Sequence, residues 1–353
     1  MSQRIRVGIV GAGIGASHIQ AYRELPDHYT VEALCDIDGE RAGKLAADYK
    51  VASVLTAYED LLARDLDLID ICTPSNLHFA ETMQALAAGR HVVVEKPLCG
   101  SLAEVETLSE AERKSGKSVS PIFQYRFANG LQSFLHLRAA GLVGKPYVAT
   151  VETHWRRTAA YYNNPWRGRF KSELGGCLVT HAIHAHDILT EVMGPIMSVA
   201  ARTATAVNPI ETEDCAALLL EMKSGALVTL SVTLGAEEEI SRLRFCFAGL
   251  TVESSLDPYN PGRTPWRFLT SDVDLQKRIY RALSEFTPGP ERWAGQFARL
   301  HAALTNGSAL PVAIADARTS LELITAAYHS AATGETVRLP IGPDHPAYGG
   351  WRR

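Results

Sequence analysis

The stretch Arg6-Val7-Gly8-Ile9-Val10-Gly11-Ala12-Gly13-Ile14-Gly15-Ala16 decides the fold. A short apolar run ends in closely spaced glycines, and helix-forming sequence starts at Gly15. Strand, tight turn and helix start, in that order, are the context a G-x-G-x-x-G/A pattern needs before it signifies a dinucleotide site. Gly11 permits the turn, Gly13 lets the backbone approach a pyrophosphate, and Ala16 takes the position where helix packs closely on sheet. The helix N-terminus then offers N–H groups and a favourable dipole to phosphate. Arg4 and Arg6 ahead of an apolar run imitate a secretory leader, but the glycines at 8, 11, 13 and 15 fit a strand and turn better.

Asp36 lies twenty residues beyond Ala16, at the end of the next strand candidate. A carboxylate there accepts hydrogen bonds from the adenosine ribose and repels a 2′-phosphate. Ile37 follows where an NADP site often carries arginine, and Arg41 reads as too far along. NAD is therefore expected over NADP.

Working outward, apolar runs at Arg6–Val10, Val31–Cys35, Leu68–Cys72, His91–Val94 and Ser118–Ile122 alternate with helical patterns at Gly15–Leu25, Glu40–Asp48, Asn76–Ala88 and Leu102–Ser115. That alternation predicts a parallel sheet with crossover helices. Gly89 and Gly116 fit helix-ending positions. Beyond residue 124 longer strands follow one another at Tyr147–His154, Met197–Ala206, Ala216–Met222, Leu227–Leu234 and Leu243–Phe247, with helices near Gly130–Ala140, Val179–Met193 and Asp316–Thr333. The expected fold class is an α/β nucleotide-binding domain over residues 1–124, followed by an α+β domain with a large, mostly antiparallel open sheet over 125–353. An open sheet has a face that needs cover, so a homodimer or homotetramer is expected.

The 353 residues, 46% apolar, suffice for two such cores. A net charge of −4 without a basic run predicts no nucleic-acid partner, and no apolar stretch reaches bilayer length. Six scattered cysteines without a C-x-x-C pair read as reduced thiols in a cytoplasmic protein.

Glu95-Lys96-Pro97 falls where the fifth strand should end. A lysine at that sheet edge is a candidate proton-transfer group for alcohol–carbonyl chemistry. The bland alternative is a Glu95–Lys96 ion pair with Pro97 ending a strand. With the glycine turn, Thr73-Pro74-Ser75-Asn76-Leu77-His78, Ala88-Gly89-Arg90-His91-Val92-Val93-Val94-Glu95-Lys96-Pro97, and Gly175-Gly176-Cys177 leading to His184 and Asp187, the chain resembles the glucose–fructose oxidoreductase/inositol dehydrogenase/rhizopine catabolism (Gfo/Idh/MocA) family over essentially its full length. The resemblance implies a Rossmann domain, an open-sheet C-terminal domain, and hydride exchange between nicotinamide and a sugar, glycoside or cyclitol carbon. It implies a cofactor site built by Gly11, Gly13, Ile14, Gly15, Ala16, Asp36, Thr73, Pro74, Asn76, His78, Glu95 and Lys96, with His78 near the nicotinamide edge.

The family pattern after the glycines is aspartate, histidine four residues on, and aspartate three further; here Thr180, His184 and Asp187 hold those places. Threonine carries no charge, so the acid/base task falls on Lys96 and His184, while the Thr180 hydroxyl can orient a substrate or a histidine. Four-residue spacing puts Thr180 and His184 on one helical face. His181, His184, His186 and Asp187 invite a metal reading, but His186 points away from the face His181 and His184 share, and no metal is expected. His186 reads as a packed or exposed helix residue and Asp187 as a structural partner. Tyr161, Trp166 and Arg167, together with Thr180 and His181, are candidate substrate contacts, because aromatic faces stack on sugar C–H faces and arginine donates to hydroxyls. Arg156 and Arg157 could add charge there, and two arginines facing a substrate would admit an anionic one. Two other functions fit the same residues: glycoside cleavage through transient C3 oxidation by bound NAD, and a non-catalytic NAD sensor.

Overall fold

The computed structural model describes residues 4–351. They form two compact units, one comprising residues up to Phe123 with Trp293–Arg318, the other Gln124–Arg292 with Thr319 onward.

In the first unit, Ile5–Val10 (β1), Tyr29–Cys35 (β2), Ser53–Leu55 (β3), Leu68–Ile71 (β4), His91–Val94 (β5) and Val119–Pro121 (β6) form one sheet in the order β3-β2-β1-β4-β5-β6. Every pairing is parallel. This is the doubly wound order, whose strand sequence reverses between β1 and β4, and ligands bind beyond the strand ends at such a switch point. Val7, Ile9, Leu34, Leu68 and Val93 are sealed within it, as strands covered on both faces require. Between strands the crossover helices start and stop where side chains dictate. Ser101 caps Leu102–Ser115 by accepting from Glu104 N–H, and Gly116 ends it in a left-handed conformation at φ +65°.

One segment departs from the expected division. Helix Arg292–Asn306, which the sequence pattern did not single out, belongs almost wholly to the first unit. Its Phe297 ring stacks on Tyr22 at 4.2 Å, and its Phe297 carbonyl accepts from the Tyr29 hydroxyl at 2.8 Å. Burial of a phenylalanine and satisfaction of a buried hydroxyl hold it there.

The second unit carries Pro146–Arg156 (β7), Ile196–Ala204 (β8), Cys215–Met222 (β9), Leu227–Thr233 (β10), Gly235–Phe247 (β11), Leu250–Glu253 (β12), Arg267–Leu269 (β13) and Val337–Arg338 (β14) in the order β13-β12-β11-β7-β10-β9-β8-β14. Only β7 and β10 pair in parallel. Along β9 and β10 burial alternates: Leu218, Leu220, Val228, Leu230 and Val232 face inward, and Ala217, Leu219, Leu227 and Thr229 face outward. Among the described residues no helix is long and apolar enough to cross a membrane.

Candidate active site

The first unit gathers its predicted residues at the carboxyl ends of β1, β2, β4 and β5. Gly11 has φ +100°, and a Cβ there would lie 2.4 Å from the Cys72 carbonyl oxygen, so the turn admits only glycine. Gly13 is the opposite case: a Cβ would meet nothing within 4 Å, so the backbone lies open to a ligand. Helix Gly15–Arg23 begins two residues later, with exposed Ile14 as its N-cap. The tight approach of helix to strand falls at Gly15, whose added Cβ would sit 3.2 Å from Ile9. Open backbone N–H groups at a helix start, over a glycine cradle, fit a pyrophosphate.

Asp36 follows β2 directly and is almost fully buried. One carboxylate oxygen accepts from Ala12 N–H at 2.7 Å; the other accepts from Asp38 N–H at 2.9 Å and from the Arg41 guanidinium at 2.6 Å. Burial pushes the Asp36 carboxyl up, but these donors outweigh it and hold it below the usual carboxylate range. The expectation that Arg41 lies too far along is corrected here. Asp38 caps helix Gly39–Tyr49 by accepting from Arg41 N–H, and that first turn folds Arg41 back onto Asp36.

Thr73 donates to Glu81 at 2.5 Å, and Pro74 leads into a short helical turn, Ser75–Leu77, with Asn76 exposed. Burial raises the Glu81 carboxyl to about 7, with the Thr73 hydroxyl opposing. His78 is buried, with Nδ1 2.7 Å from the Pro97 carbonyl and Nε2 2.9 Å from the Thr73 carbonyl. It thereby ties the loop after β4 to the turn after β5. Burial keeps its pKa low despite the two carbonyls. Lys96 lies two residues beyond β5, after Glu95, and is half-buried. The Glu95 carboxylate turns inward: Oε1 lies 3.1 Å from His18 Nε2, and Oε2 accepts from Lys96 N–H at 3.1 Å.

The second unit assembles the remaining residues around the glycine pair. Gly176 is packed so closely that a Cβ would fall 1.9 Å from the Glu213 carbonyl oxygen. The buried Glu213 carboxylate accepts from Gly176 N–H, Leu178 N–H and the Tyr328 hydroxyl at 3.0, 3.0 and 2.6 Å. These bonds aim the short helix Cys177–Thr180. The single helix expected over Val179–Met193 is interrupted, because the Cys177 carbonyl accepts from both His181 and Ala182 N–H, and Ile183–Met193 starts anew. That wide turn inserts an extra residue into the helical ladder, so Thr180 and His184 do not share one continuous helix face.

The Thr180 hydroxyl donates to the Gly176 carbonyl at 2.7 Å and lies 2.6 Å from His181 Nδ1. A hydroxyl has one proton to give, so it can donate to only one of these two neighbours at a time. The His181 ring contacts Trp155 at 5.5 Å and Tyr161 at 5.9 Å. Arg167 lies over both Tyr161 and Trp166 at 4.1 Å and pairs with Glu173 at 2.9 Å. Arg157 lies over Trp155 and Tyr161 and pairs with Glu239 at 3.1 Å; Arg156 pairs with Glu237 at 3.2 Å. Tyr161, Trp166, Arg167, Thr180 and His181 thus form one cluster. His184 is buried and stacks on Tyr125 at 4.4 Å. Asp187 receives a two-pronged hydrogen bond from Arg126 at 2.6 and 2.7 Å, fixing the helix that carries His184. Sequence reasoning missed Glu213, Tyr125 and His18. Glu213 sits in an aperiodic acidic segment that announces nothing, whereas His18 stands one turn before Tyr22 on the buried face of a periodic helix.

A nucleotide cradle at a sheet switch point, with a lysine at the neighbouring strand end, defines an NAD-binding oxidoreductase of the CH–OH dehydrogenase class. Residues 5–123 match the family described as "Oxidoreductase family, NAD-binding Rossmann fold" (GFO_IDH_MocA), and residues 132–253 match the GFO/IDH/MocA C-terminal domain; the chain belongs to this family. The D-glucoside 3-dehydrogenase of Escherichia coli (strain K12) is 27% identical over 368 residues, covering 96% of this chain and 98% of that protein. An uncharacterized oxidoreductase of Bacillus subtilis, YrbE, is 29% identical over 237 residues, 65% of this chain and 67% of its own. The crystal structure of the WlbA dehydrogenase from Bordetella pertussis, in complex with NADH and UDP-GlcNAcA, matches with a TM-score of 0.84 at 26% identity, covering 96% of this chain and 100% of that one.

Proposed function

We propose that the protein transfers a hydride between NAD and a ring hydroxyl or ketone of a neutral sugar, glycoside or cyclitol, with Lys96 and His184 as the acid/base groups. The observation that carries this reading is Lys96 just beyond the carboxyl end of β5, in the same unit as a glycine turn that only Gly11 can form. Bound NAD supplies the hydride acceptor. The protein's task is to take the hydroxyl proton, for which a half-buried lysine and a histidine stacked on tyrosine are suited. Gly11, Gly13, Ile14, Gly15 and Ala16 are assigned to the phosphates, Asp36 to the adenosine ribose, and Thr73, Pro74, Asn76, His78, Glu95 and Lys96 to the nicotinamide end. Arg41, already bonded to Asp36, leaves that carboxylate for ribose rather than offering an unpaired cation to a 2′-phosphate.

Tyr161, Trp166, Arg167, Thr180 and His181 are assigned to the substrate. Arg156, Arg157 and Arg167 each have a carboxylate partner, which favours a neutral ring over an anionic one. The likeness to a D-glucoside 3-dehydrogenase supports a glycoside and its 3-hydroxyl; the UDP-GlcNAcA of the WlbA complex is an acid, which the paired arginines here disfavour. We place the protein in the cytoplasm, where its six free thiols would persist, and as a homo-oligomer. The test is nicotinamide absorbance with NAD or NADP against aldoses, glycosides and cyclitols. NADH formed from a neutral glycoside supports the proposal, cleaved glycoside without NADH marks transient C3 oxidation, and tight NAD binding with neither marks a sensor.

A further inference from the structure

Behind Lys96 lies a closed ionic box. His18, on helix Gly15–Arg23, has no exposed surface. Its Nδ1 is 2.8 Å from an oxygen of Asp70, itself fully buried on β4, and its Nε2 is 3.1 Å from Glu95. The second Asp70 oxygen accepts from the Cys72 thiol at 3.5 Å, and Cys72 Sγ also lies 3.5 Å from His18 Nδ1. Rings of Trp293 and Phe297 pack against the imidazole at 5.7 and 5.6 Å. We infer that His18 is a positioning residue, which holds Glu95 and through it fixes Lys96 at the strand end. The inference rests on the role proposed above for Lys96.

The chemistry follows from the acceptors. A carboxylate on each ring nitrogen requires an N–H at each, because an imidazole lone pair aimed at a carboxylate oxygen in a dry site is strongly unfavourable. Burial works against the charged ring, but the Asp70 carboxylate at 2.8 Å outweighs it and holds the His18 pKa well above its ordinary value. Burial keeps the two other titratable neighbours neutral, the Cys72 thiol and the Tyr22 hydroxyl. The box thus sets a carboxyl group against each His18 ring nitrogen. Glu95, clamped on Oε1 by His18, presents Oε2 to the Lys96 N–H, and His78 grips the Pro97 carbonyl from the other side. Two buried histidines thus bracket the lysine. His18 also joins the phosphate-binding helix to the proton-transfer group, and its fixed positive charge, two residues through Glu95 from Lys96, opposes a charge on the lysine.

Three readouts on the full-length protein test this. In 15N-histidine spectra, assigned with His18→Gln, both His18 nitrogens should carry protons unchanged from about pH 6 to about pH 9. In 13Cε-lysine spectra, His18→Gln should move the Lys96 titration to higher pH, because a fixed cation has gone while the carboxylates remain. In kinetics, His18→Gln should lower kcat at least about tenfold while the Kd for NAD stays within about threefold. A neutral His18 in the wild type, or an unchanged Lys96 titration in the variant, overturns the inference; the wild-type nitrogen spectrum decides it even if the variant fails to fold. Silence of the wild type across the sugar panel, with the predicted His18 and Lys96 signatures present, would instead overturn the proposed function and leave the box standing.

Discussion

His186 shows what a single residue costs when its chemistry goes unused. It is fully buried on helix Ile183–Met193, and neither ring nitrogen meets a hydrogen-bond partner among the described residues. Burial lowers its pKa from 6.5 to about 3. The unfolded chain therefore binds a proton that the folded chain refuses between those values, and stability falls as pH drops through that window. His186→Leu should raise stability at neutral pH by about 1–3 kcal/mol, the cost of an unsatisfied buried polar group. It should also flatten the acid limb of a denaturant-midpoint series; a variant less stable than wild type, with the acid limb intact, would contradict this. The sequence reading left His186 as packed or exposed, because period alone does not say whether a helix is covered on every side. Thr180 was read as an orienting hydroxyl; it donates to the Gly176 carbonyl and also meets the adjacent His181, a contact that spacing on an ideal helix does not foresee.

Elements were read well where local signals agree. Helix Leu102–Ser115 was expected to the residue, since a terminal glycine closes a periodic run, and the structure adds the Ser101 cap at its start. β5 was likewise expected at His91–Val94, and with it the place of Lys96. β3, at three residues, is too short for periodicity to register, and β11 begins at Gly235 although Glu237, Glu238 and Glu239 mask its first half. The helix expected over Val179–Met193 is interrupted by the wide turn at the Cys177 carbonyl, and the short helix before that turn is aimed by the Glu213 carboxylate, distant in sequence. That dependence gives a paired prediction. Gly176→Ala would drive a Cβ to 1.9 Å from the Glu213 carbonyl and should cost about 2 kcal/mol or more, with activity falling over tenfold. Gly43→Ala, in helix Gly39–Tyr49 with nothing within 4 Å of its Cβ, should raise stability by about 0.5–1 kcal/mol. Thermal melts of both variants read the contrast, and equal effects would sink it.

At the scale of the whole molecule, the described residues leave one face of the second sheet uncovered along β9 and β10. Leu219 is 55% exposed and Leu227 51%, and with Val148, Thr229 and Ala200 they make an apolar strip across adjacent strands. Such a strip is what a self-complementary, two-fold interface would cover. Leu219→Glu should therefore shift the mass measured by light scattering toward the monomer, while a wild type that is already monomeric at micromolar concentration would refute the interface. The proposed chemistry has Lys96 move the proton while NAD takes the hydride. The most direct measurement is NADH formation from a neutral glycoside by wild type and Lys96→Ala, each shown by calorimetry to bind NAD. We predict NADH from the wild type, and a loss of at least about a thousandfold in kcat with NAD affinity retained in Lys96→Ala. A variant that forms NADH at the wild-type rate would contradict the account.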